Sequence, residues 1–338
     1  MSGDGRRPAR SRAYDESDVR IRPGRGTRPR SKVRPIHADA VPGVVIAVDR
    51  GRYTCLAGDD EQVVTAMGAR ELGRKGVVVG DRVGIVGDVS GREGSLARIV
   101  RVEDRATVLR RTADDDDPVE RIIVANAEQM VIVTALAEPL PRPRLVDRCL
   151  VAAFDSGLAP LLCLTKIDLA DPSSLLAAYA PLGVPAVVTG LGTDLEPLRE
   201  LLTDRWSVLV GHSGVGKSTL VNALVPGSDR AIGEVNVVTG RGRHTSTSAV
   251  ALRLPGGGWV IDTPGIRSFG LAHVDPRQLV HAFPDLDAQT AACPRGCTHG
   301  FGEPECALDD AVTEGHLDRA RVDSFRRLLT SRERQAGD

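Results

Sequence analysis

The chain has few aromatic residues and no long apolar run, and both shortages limit what it can be. Aromatic residues make up 3% of its 338 residues. No segment approaches the ~20 apolar residues that a membrane-spanning helix needs, and the N-terminus has no apolar core of the kind found in secretory signals. The sequence therefore predicts a cytoplasmic protein with no membrane partner. In that reducing compartment, clustered cysteines indicate a metal site before a disulfide.

The net charge is also small, at -1, but positive charge is concentrated near the N-terminus. Residues 1–38 are rich in arginine and have no apolar segment, so they are predicted to be a disordered basic arm. Such an arm suits contact with nucleic acid, although many basic arms are only solvated tails. The 41% hydrophobic content is typical of a globular protein, and the length suffices for two or three domains.

Residues 39–112 consist of short apolar runs separated by glycine-rich turns. The predicted strands are 44–48, 53–57, 62–66, 82–86 and 97–102, followed by a short one at 107–109. About five strands in this length predict an OB-fold β-barrel. Tyr53 is the only aromatic residue in the segment, so contact with RNA is expected through phosphates and shape more than through base stacking. The alternative is a barrel that only docks the next domain.

In residues 113–288 strands alternate with helices, which predicts one α/β domain. A predicted strand at 206–210 leads into G-x-x-x-x-G-K-S and then a helix, the context of a phosphate-binding loop. Lys217 is expected to reach the β- and γ-phosphates, and Ser218 to bind Mg²⁺. An ordinary glycine-rich turn is the alternative. The predicted nucleotide-binding residues of the loop are Gly211, His212, Ser213, Gly214, Val215, Gly216, Lys217, Ser218 and Thr219.

A second motif, Thr165-Lys166-Ile167-Asp168, follows a predicted strand at 161–164. Ligand sites of α/β domains lie at such strand ends. The Asp168 carboxylate can accept hydrogen bonds from the N1–H and the exocyclic amine of guanine, a donor pair that adenine lacks. Asp168 is therefore expected to select GTP over ATP, while the stem of Lys166 stacks along the ring.

A third motif, Asp262-Thr263-Pro264-Gly265, follows a predicted strand at 259–261. Asp262 can hold Mg²⁺ and the Gly265 N–H can face the γ-phosphate, although a strand-ending turn would use the same letters. The polar segment 240–247 is a candidate switch, in which Thr245 would complete the Mg²⁺ coordination. In an ordinary small GTPase the base-reading K-x-D motif comes last. Here it precedes the phosphate loop, which indicates a circular permutation.

Three of the six cysteines lie close to a histidine near the C-terminus, in residues 289–338. Three thiolates and one imidazole fill a tetrahedral Zn²⁺, so Cys293, Cys297, His299 and Cys306 predict a structural zinc site. A reduced, metal-free cluster is the alternative. A following helix has an apolar face at Val322, Phe325, Leu328 and Leu329. Its arginines offer phosphate contacts or form a solvated basic face: Arg319, Arg321, Arg326, Arg327, Arg332 and Arg334.

With these motifs the chain resembles the circularly permuted ribosome-assembly GTPases of the RsgA (YjeQ) family, over about residues 40–330. The resemblance rests on G-x-S-G-V-G-K-S, G-R-H-T, D-T-P-G and the Cys/His cluster. It implies an N-terminal OB-fold barrel, a circularly permuted P-loop GTPase domain and a C-terminal zinc-binding helical domain. It also implies binding to the small ribosomal subunit and its rRNA late in maturation, with GTP hydrolysis stimulated by that subunit.

The resemblance also assigns residues, with some departures. It makes His244 of G-R-H-T a candidate water-positioning residue beside Lys217 and Thr245 in catalysis, against the alternative of a solvent-exposed histidine. Ile266 occupies a position where many GTPases have glutamine, so slow intrinsic hydrolysis is expected. Thr165 replaces the commoner asparagine, which should remove a supporting hydrogen bond. The cysteine spacing is C-x3-C-x-H-x6-C instead of C-x4-C-x-H-x5-C.

The sequence thus predicts a monomeric GTP hydrolase that binds GTP or GDP with Mg²⁺, contains one structural Zn²⁺ and leaves the small subunit after hydrolysis. Two alternatives stay open: a permuted GTPase of the large subunit, and an RNA-binding scaffold that uses GTP only for structure. The first would differ in the subunit it sediments with. The second would hold GTP uncleaved in a single-turnover reaction.

Overall fold

The computed structural model describes residues 37–49, 51–72, 76–111, 120–227, 249–263, 271 and 274–331, with only the backbone given for Glu71 and Pro276. Several predicted features lie outside these residues. They are nearly all of the basic arm, the switch segment with His244 and Thr245, and Gly265, Ile266, Arg332 and Arg334.

The N-terminal barrel consists of five strands: β1 (Val41–Asp49), β2 (Arg52–Ala57), β3 (Gln62–Gly68), β4 (Arg82–Gly87) and β5 (Ala97–Val102). Their order is β1-β2-β3-β5-β4, and β1 also pairs with β4, which closes the sheet into a barrel. Alternate residues such as Val45, Cys55, Val64 and Ile99 fill its interior because side chains of a strand alternate between faces. The predicted five-stranded OB-like barrel is confirmed.

The predicted strand at 107–109 lies outside this barrel. It forms β6 (Val108–Arg111), which pairs antiparallel with β7 (Arg121–Ala125) in a separate two-stranded sheet. The predicted domain boundary at residue 112 therefore falls between two paired strands. A bridge from Val79 to Val124 connects this two-stranded sheet to the barrel.

The α/β domain is built on six further strands: β8 (Gln129–Ala135), β9 (Ala159–Thr165), β10 (Ala186–Val188), β11 (Trp206–Val210), β12 (Val250–Arg253) and β13 (Trp259–Asp262). Their order is β10-β9-β8-β11-β13-β12, and all are parallel except β12. The carboxyl ends of β9, β11 and β13 consequently share one edge of the sheet. These ends carry the base motif, the phosphate loop and Asp262.

Helices cover both faces of this sheet, which makes the domain doubly wound. They are α1 (Pro143–Asp155), α2 (Ser173–Tyr179), α3 (Glu196–Leu202) and α4 (Lys217–Leu224). One core cluster joins Leu150 of α1 to Ile132 of β8. Another joins Leu198 of α3 and Leu220 of α4 to Val133, the next residue of β8. Successive residues of one strand thus serve opposite faces.

The barrel and the α/β sheet are continuous. Ala47 of β1 pairs with Val250 of β12, so all eleven strands form one hydrogen-bonded series. Arg253 of β12 also makes an ion pair with Glu61 of the barrel and lies 5.7 Å from the Trp259 ring centroid. The barrel is thus attached to the strand that follows the predicted switch segment.

The C-terminal region contains α5 (Pro276–Leu279), α6 (Pro284–Thr290), α7 (Ala307–Thr313) and α8 (Arg319–Ser331). Val322, Phe325 and Leu328 of the predicted apolar face of α8 are buried, and Leu329 is partly buried against the same core. Phe325 packs edge-on against Phe283 at 5.4 Å, and Phe283 against Phe154 of α1 at 4.8 Å.

Three arginines of α8 correct the expectation that this helix presents them to phosphates or to solvent. Arg321 forms a bidentate ion pair with Asp285, Arg326 with Asp309, and Arg327 bonds Asp147 of α1. Arg326 is 4% exposed. These charges hold α8 against the protein, because each guanidinium is engaged by a carboxylate. Within the described ranges, no helix combines the length and apolar character needed to span a membrane.

Candidate functional site

The phosphate loop connects β11 to α4, as predicted, and depends on glycine at several positions. Gly211 has φ +154°, and a Cβ there would lie 2.3 Å from the Val133 carbonyl oxygen of β8. Gly216, at the N-cap of α4, has φ +92°. A side chain at Gly211 would push the loop away from the sheet, so glycine is required for its path.

Lys217 begins α4 and its amine folds back over the loop. Its Nζ donates to the carbonyl oxygens of Gly211 at 2.5 Å and His212 at 3.2 Å. Burial lowers the pKa of Lys217, and the nearby Asp262 carboxylate opposes that effect. The two carbonyl oxygens carry only partial negative charge and compensate the Lys217 charge incompletely. Bound phosphates would supply full negative charge.

Asp262 ends β13 beside the loop, where Leu209 of β11 is its register partner. Burial raises its pKa, while the charge of Lys217 lowers it. The next residue, Thr263, donates its hydroxyl hydrogen to the Leu209 carbonyl at 2.6 Å and so fixes β13 to β11. The carboxylate is thereby held near the amine that would face the phosphates.

The base motif and the phosphate helix line one cavity of about 340 Å³. Its walls include Thr165, Lys166 and Asp168 from one motif and Gly216 and Thr219 from the other. A cavity of this size suits a small-molecule ligand. The two motifs, separated in the sequence by the permutation, are therefore brought together at one edge of the sheet.

Thr165 links these two motifs directly. Its buried hydroxyl donates to the Val215 carbonyl oxygen of the phosphate loop at 2.6 Å. Thr165 thus makes a hydrogen bond to the phosphate loop even though it replaces the commoner asparagine. Lys166, which has φ +61°, donates from Nζ to the Glu138 carbonyl of the loop after β8.

A third segment of this cavity, Thr189-Gly190-Leu191, follows β10 and is not predicted from the sequence. Its Leu191 N–H points at Asp168 Oδ1 from 3.4 Å. A Cβ at Gly190 would lie 2.7 Å from the same oxygen, and Thr193 closes the turn by bonding both the N–H and the carbonyl of Gly190. The signal in the sequence is a β-strand followed by small residues, which is too common to stand out alone.

Ser218 and Asp262 supply the oxygen donors that Mg²⁺ prefers, a hydroxyl and a carboxylate. Ser218 lies in the first turn of α4, next to Lys217, and is exposed. The donor set therefore fits the ion. The third predicted donor, Thr245, lies outside the described residues.

The four predicted metal ligands converge in the C-terminal region. The Sγ atoms of Cys293, Cys297 and Cys306 lie 3.5, 3.4 and 3.9 Å from Nδ1 of His299. All four ligand atoms lie within 4.8 Å of one another. Ligands about 2.3 and 2.1 Å from a tetrahedral ion would be separated by roughly 3.6 Å, so the cluster fits such an ion despite its altered spacing.

Arg326 of α8 contacts this cluster through the backbone of His299. Its guanidinium donates to the His299 carbonyl at 3.1 Å and to both oxygens of Asp309 at 2.8 Å. His299 has φ +58°, a backbone conformation that needs support from its surroundings. The C-terminal helix is thus bonded to the backbone of the candidate metal site.

Comparison with known proteins agrees with these features. A family model described as RsgA GTPase matches residues 102–272. A protein of Chlorobaculum parvum named small ribosomal subunit biogenesis GTPase RsgA is 38% identical over 307 residues, 87% of this chain and 98% of its own length. A Pseudomonas fluorescens protein of the same name is 40% identical over 253 residues, 72% of each chain.

Solved structures show the same architecture. YjeQ from Thermotoga maritima has a TM-score of 0.65 and 27% identity, and the match covers 86% of this chain and 98% of that one. YloQ, described as a circularly permuted GTPase, has a TM-score of 0.62 at 24% identity, covering 89% and 98%. With its barrel, its permuted motif order and its close relatives, the chain belongs to the RsgA family of circularly permuted GTPases.

Proposed function

We propose that the protein is a GTP hydrolase that acts late in the assembly of the small ribosomal subunit. The observation that carries this proposal is the single cavity lined by both the base motif and the phosphate helix. The relatives' name, small ribosomal subunit biogenesis GTPase, supports the biological role.

In this proposal Asp168 reads the guanine edge, Lys166 borders the ring and the loop residues 211–219 enclose the phosphates. Gly190 and Leu191 add backbone groups at the base. Lys217 exchanges its bonds to the Gly211 and His212 carbonyls for phosphate oxygens. Its positive charge then lies where negative charge develops during hydrolysis.

Ser218 and Asp262 would hold Mg²⁺, with Thr245 completing the set. When bound, the ion neutralises charge on the phosphates. Cys293, Cys297, His299 and Cys306 would hold one Zn²⁺. Four protein ligands leave no open position, so this metal would stabilise the fold and take no part in hydrolysis.

His244 would position the attacking water, and Gly265 would face the γ-phosphate. GTP would order the switch around Thr245, and hydrolysis would release the factor from the subunit. Barrel and metal module would contact rRNA. The cytoplasmic location, the monomeric state and the domain boundaries remain predictions from the sequence.

The test is GTP hydrolysis by the purified protein alone, with small subunits and with large subunits. We expect strong stimulation by small subunits and a loss of most of it in His244→Ala, with GTP binding retained. Stimulation by large subunits instead would favour a permuted GTPase of the large subunit. GTP that stays uncleaved in a single-turnover reaction with small subunits would favour an RNA-binding scaffold that uses GTP only for structure.

A further inference from the structure

A second cavity, of about 460 Å³, lies at the edge of the parallel sheet opposite the nucleotide cavity. Its walls include Gln129 and Ala159, the first residues of β8 and β9, and Pro185, which directly precedes β10. At their carboxyl ends β9 and β10 lead to Thr165 and Thr189 of the nucleotide cavity. Since β9 has seven residues and a strand rises about 3.3 Å per residue, roughly 20 Å separate the two cavities.

Apolar side chains from two parts of the chain line this second cavity. Phe154 of α1 and Leu182 belong to the α/β domain, and Phe283 belongs to the C-terminal region. Leu182 and Phe283 are buried, and Phe154 is half-buried. Leu201 of α3 borders the same cavity and is 37% exposed. A ligand in contact with these side chains would remove its own apolar part from water.

Gln129 contributes a buried polar group that the protein uses only in part. Its side chain is 5% exposed, and its Oε1 accepts a hydrogen bond from the Ser207 hydroxyl at 3.1 Å. Its amide nitrogen has no hydrogen-bond partner among the residues that the structure describes. Because an unsatisfied buried donor is costly, the two amide hydrogens are suited to a carboxylate or carbonyl oxygen of a ligand in the cavity.

Two side chains of opposite charge also line the cavity. Glu200 belongs to α3 and Arg205 follows that helix, and both are exposed. Neither side chain forms an ion pair or hydrogen bond with the other or with any further residue in the described ranges. A third charged residue, Arg321, is already neutralised by its bidentate ion pair with Asp285. One positive and one negative group are therefore left for a ligand.

We propose that this cavity binds a free α-amino acid with a large apolar side chain. The ligand's carboxylate would bond Arg205 and the Gln129 amide, its ammonium group would face Glu200, and its side chain would pack against the apolar wall. An anion alone would meet Glu200 uncompensated and a cation alone would meet Arg205, so charge complementarity selects a zwitterion. A peptide terminus carries only one of the two charges. The site goes beyond the proposed GTPase function and does not depend on it.

The test is calorimetric titration of the full-length protein with L-phenylalanine and with two analogues that each lack one charge. The first analogue, 3-phenylpropanoate, has no ammonium group, and the second, 2-phenylethylamine, has no carboxylate. L-Phenylalanine should bind at least about tenfold more tightly than either analogue, because each loses a hydrogen bond to a charged group. Glycine, which has both charges and no apolar side chain, should bind more weakly than L-phenylalanine.

Two variants assign the charges to their residues. Arg205→Gln should weaken L-phenylalanine about tenfold or more without weakening 2-phenylethylamine, and Glu200→Gln should weaken it similarly without weakening 3-phenylpropanoate. Both side chains are exposed and without partners in the described part of the chain, so both variants should fold like the parent. Arg199→Gln is the matched control, because Arg199 lies on α3 and its guanidinium bonds the Ala223 carbonyl oxygen at 2.8 Å.

Ala159→Trp, at the exposed start of β9, should abolish binding by filling the cavity. Thermal unfolding gives a second readout: L-phenylalanine should raise the Tm of the parent and leave that of Ala159→Trp unchanged. The proposal is overturned if L-phenylalanine does not bind, or if either analogue binds as tightly. Equal binding by the parent, Arg205→Gln and Glu200→Gln would also overturn it, as would displacement of L-phenylalanine by GDP, which would place the ligand in the nucleotide cavity.

Discussion

The Thr165 hydroxyl donates a 2.6 Å hydrogen bond to the Val215 carbonyl oxygen, 50 residues further along the chain. One residue belongs to the base motif and the other to the phosphate loop. The bond therefore joins the two halves of the nucleotide site across the permuted connection. Its donor and acceptor are both buried, so neither has water as a ready substitute.

Replacing Thr165 by valine keeps the shape and removes this bond. The Val215 carbonyl then loses its hydrogen-bond donor. Binding of GTP and of GDP should therefore weaken equally, by about 1–1.5 kcal/mol or roughly tenfold in Kd. Titration with fluorescent analogues of both nucleotides measures the effect. Thr165→Ser should bind like the parent, and Thr203→Val, whose hydroxyl bonds Arg199 on α3, is the control. A loss confined to GTP would contradict this role.

Gly211→Ala should disrupt the phosphate loop. The added Cβ would lie 2.3 Å from the Val133 carbonyl, a backbone atom that cannot move without displacing β8. We expect nucleotide binding to be lost and the free energy of unfolding to fall by ~2 kcal/mol or more. Gly256→Ala is the control, since its Cβ would meet nothing within 4 Å. Calorimetric titration with GTP that gave equal affinities for the two variants would argue against the loop geometry.

The Arg321–Asp285 ion pair should make the free energy of unfolding depend on pH in the acidic range. Hydrogen bonds from Arg321 hold the pKa of Asp285 below its usual range. A lowered carboxyl pKa stabilises the folded state above the unfolded value of about 3.9, and this contribution disappears as the pH falls through the folded value.

Asp285→Asn should therefore lower Tm at pH 7 and have no effect once the carboxyl is protonated. The side chain of Asp285 is 44% exposed, so the loss should not exceed ~1 kcal/mol or about 2–4 °C. Thermal unfolding from pH 7 to pH 3 measures it, with Glu200→Gln as an exposed control. If the difference in Tm between the parent and Asp285→Asn grew toward low pH, the stabilising role of this ion pair would be contradicted.

Cys306→Ser should remove the metal from the C-terminal cluster. Three ligands and a hydroxyl hold Zn²⁺ far less well than three thiolates and an imidazole. Elemental analysis should find about one zinc per parent chain and little in the variant, with a lower Tm. Cys55→Ala, in the barrel interior, should keep its zinc. Equal zinc contents in Cys306→Ser and the parent would exclude this ligand set.

The motifs of the site were predictable because their chemistry depends on residue type and local context. The loop glycines, Asp168 and the Cys/His cluster can be recognised from motifs in the sequence. Gly190 and Thr193 did not, because their role arises from a turn that only the folded sheet brings to Asp168. No local pattern encodes such an approach.

The arginines of α8 show the same limit. A helix with an apolar stripe and many arginines looks like a basic surface. Arg321, Arg326 and Arg327 instead meet Asp285, Asp309 and Asp147, which are 36, 17 and 180 residues away. Helix periodicity predicts which face is buried and says nothing about distant carboxylates. The strand β7 is not predicted from the sequence, because its partner in the two-stranded sheet, β6, is placed there with the barrel.

The central claim is that Asp168 and Lys217 hold one guanine nucleotide between them. Binding of GTP, XTP and ATP to the parent and to Asp168→Asn tests it most directly, because an amide can donate to the C2 carbonyl of xanthine where a carboxylate cannot. We predict that the parent binds GTP at least ~100-fold more tightly than XTP or ATP, and that the variant prefers XTP. Equal binding of GTP and ATP by the parent, or an unchanged preference in the variant, would contradict the account.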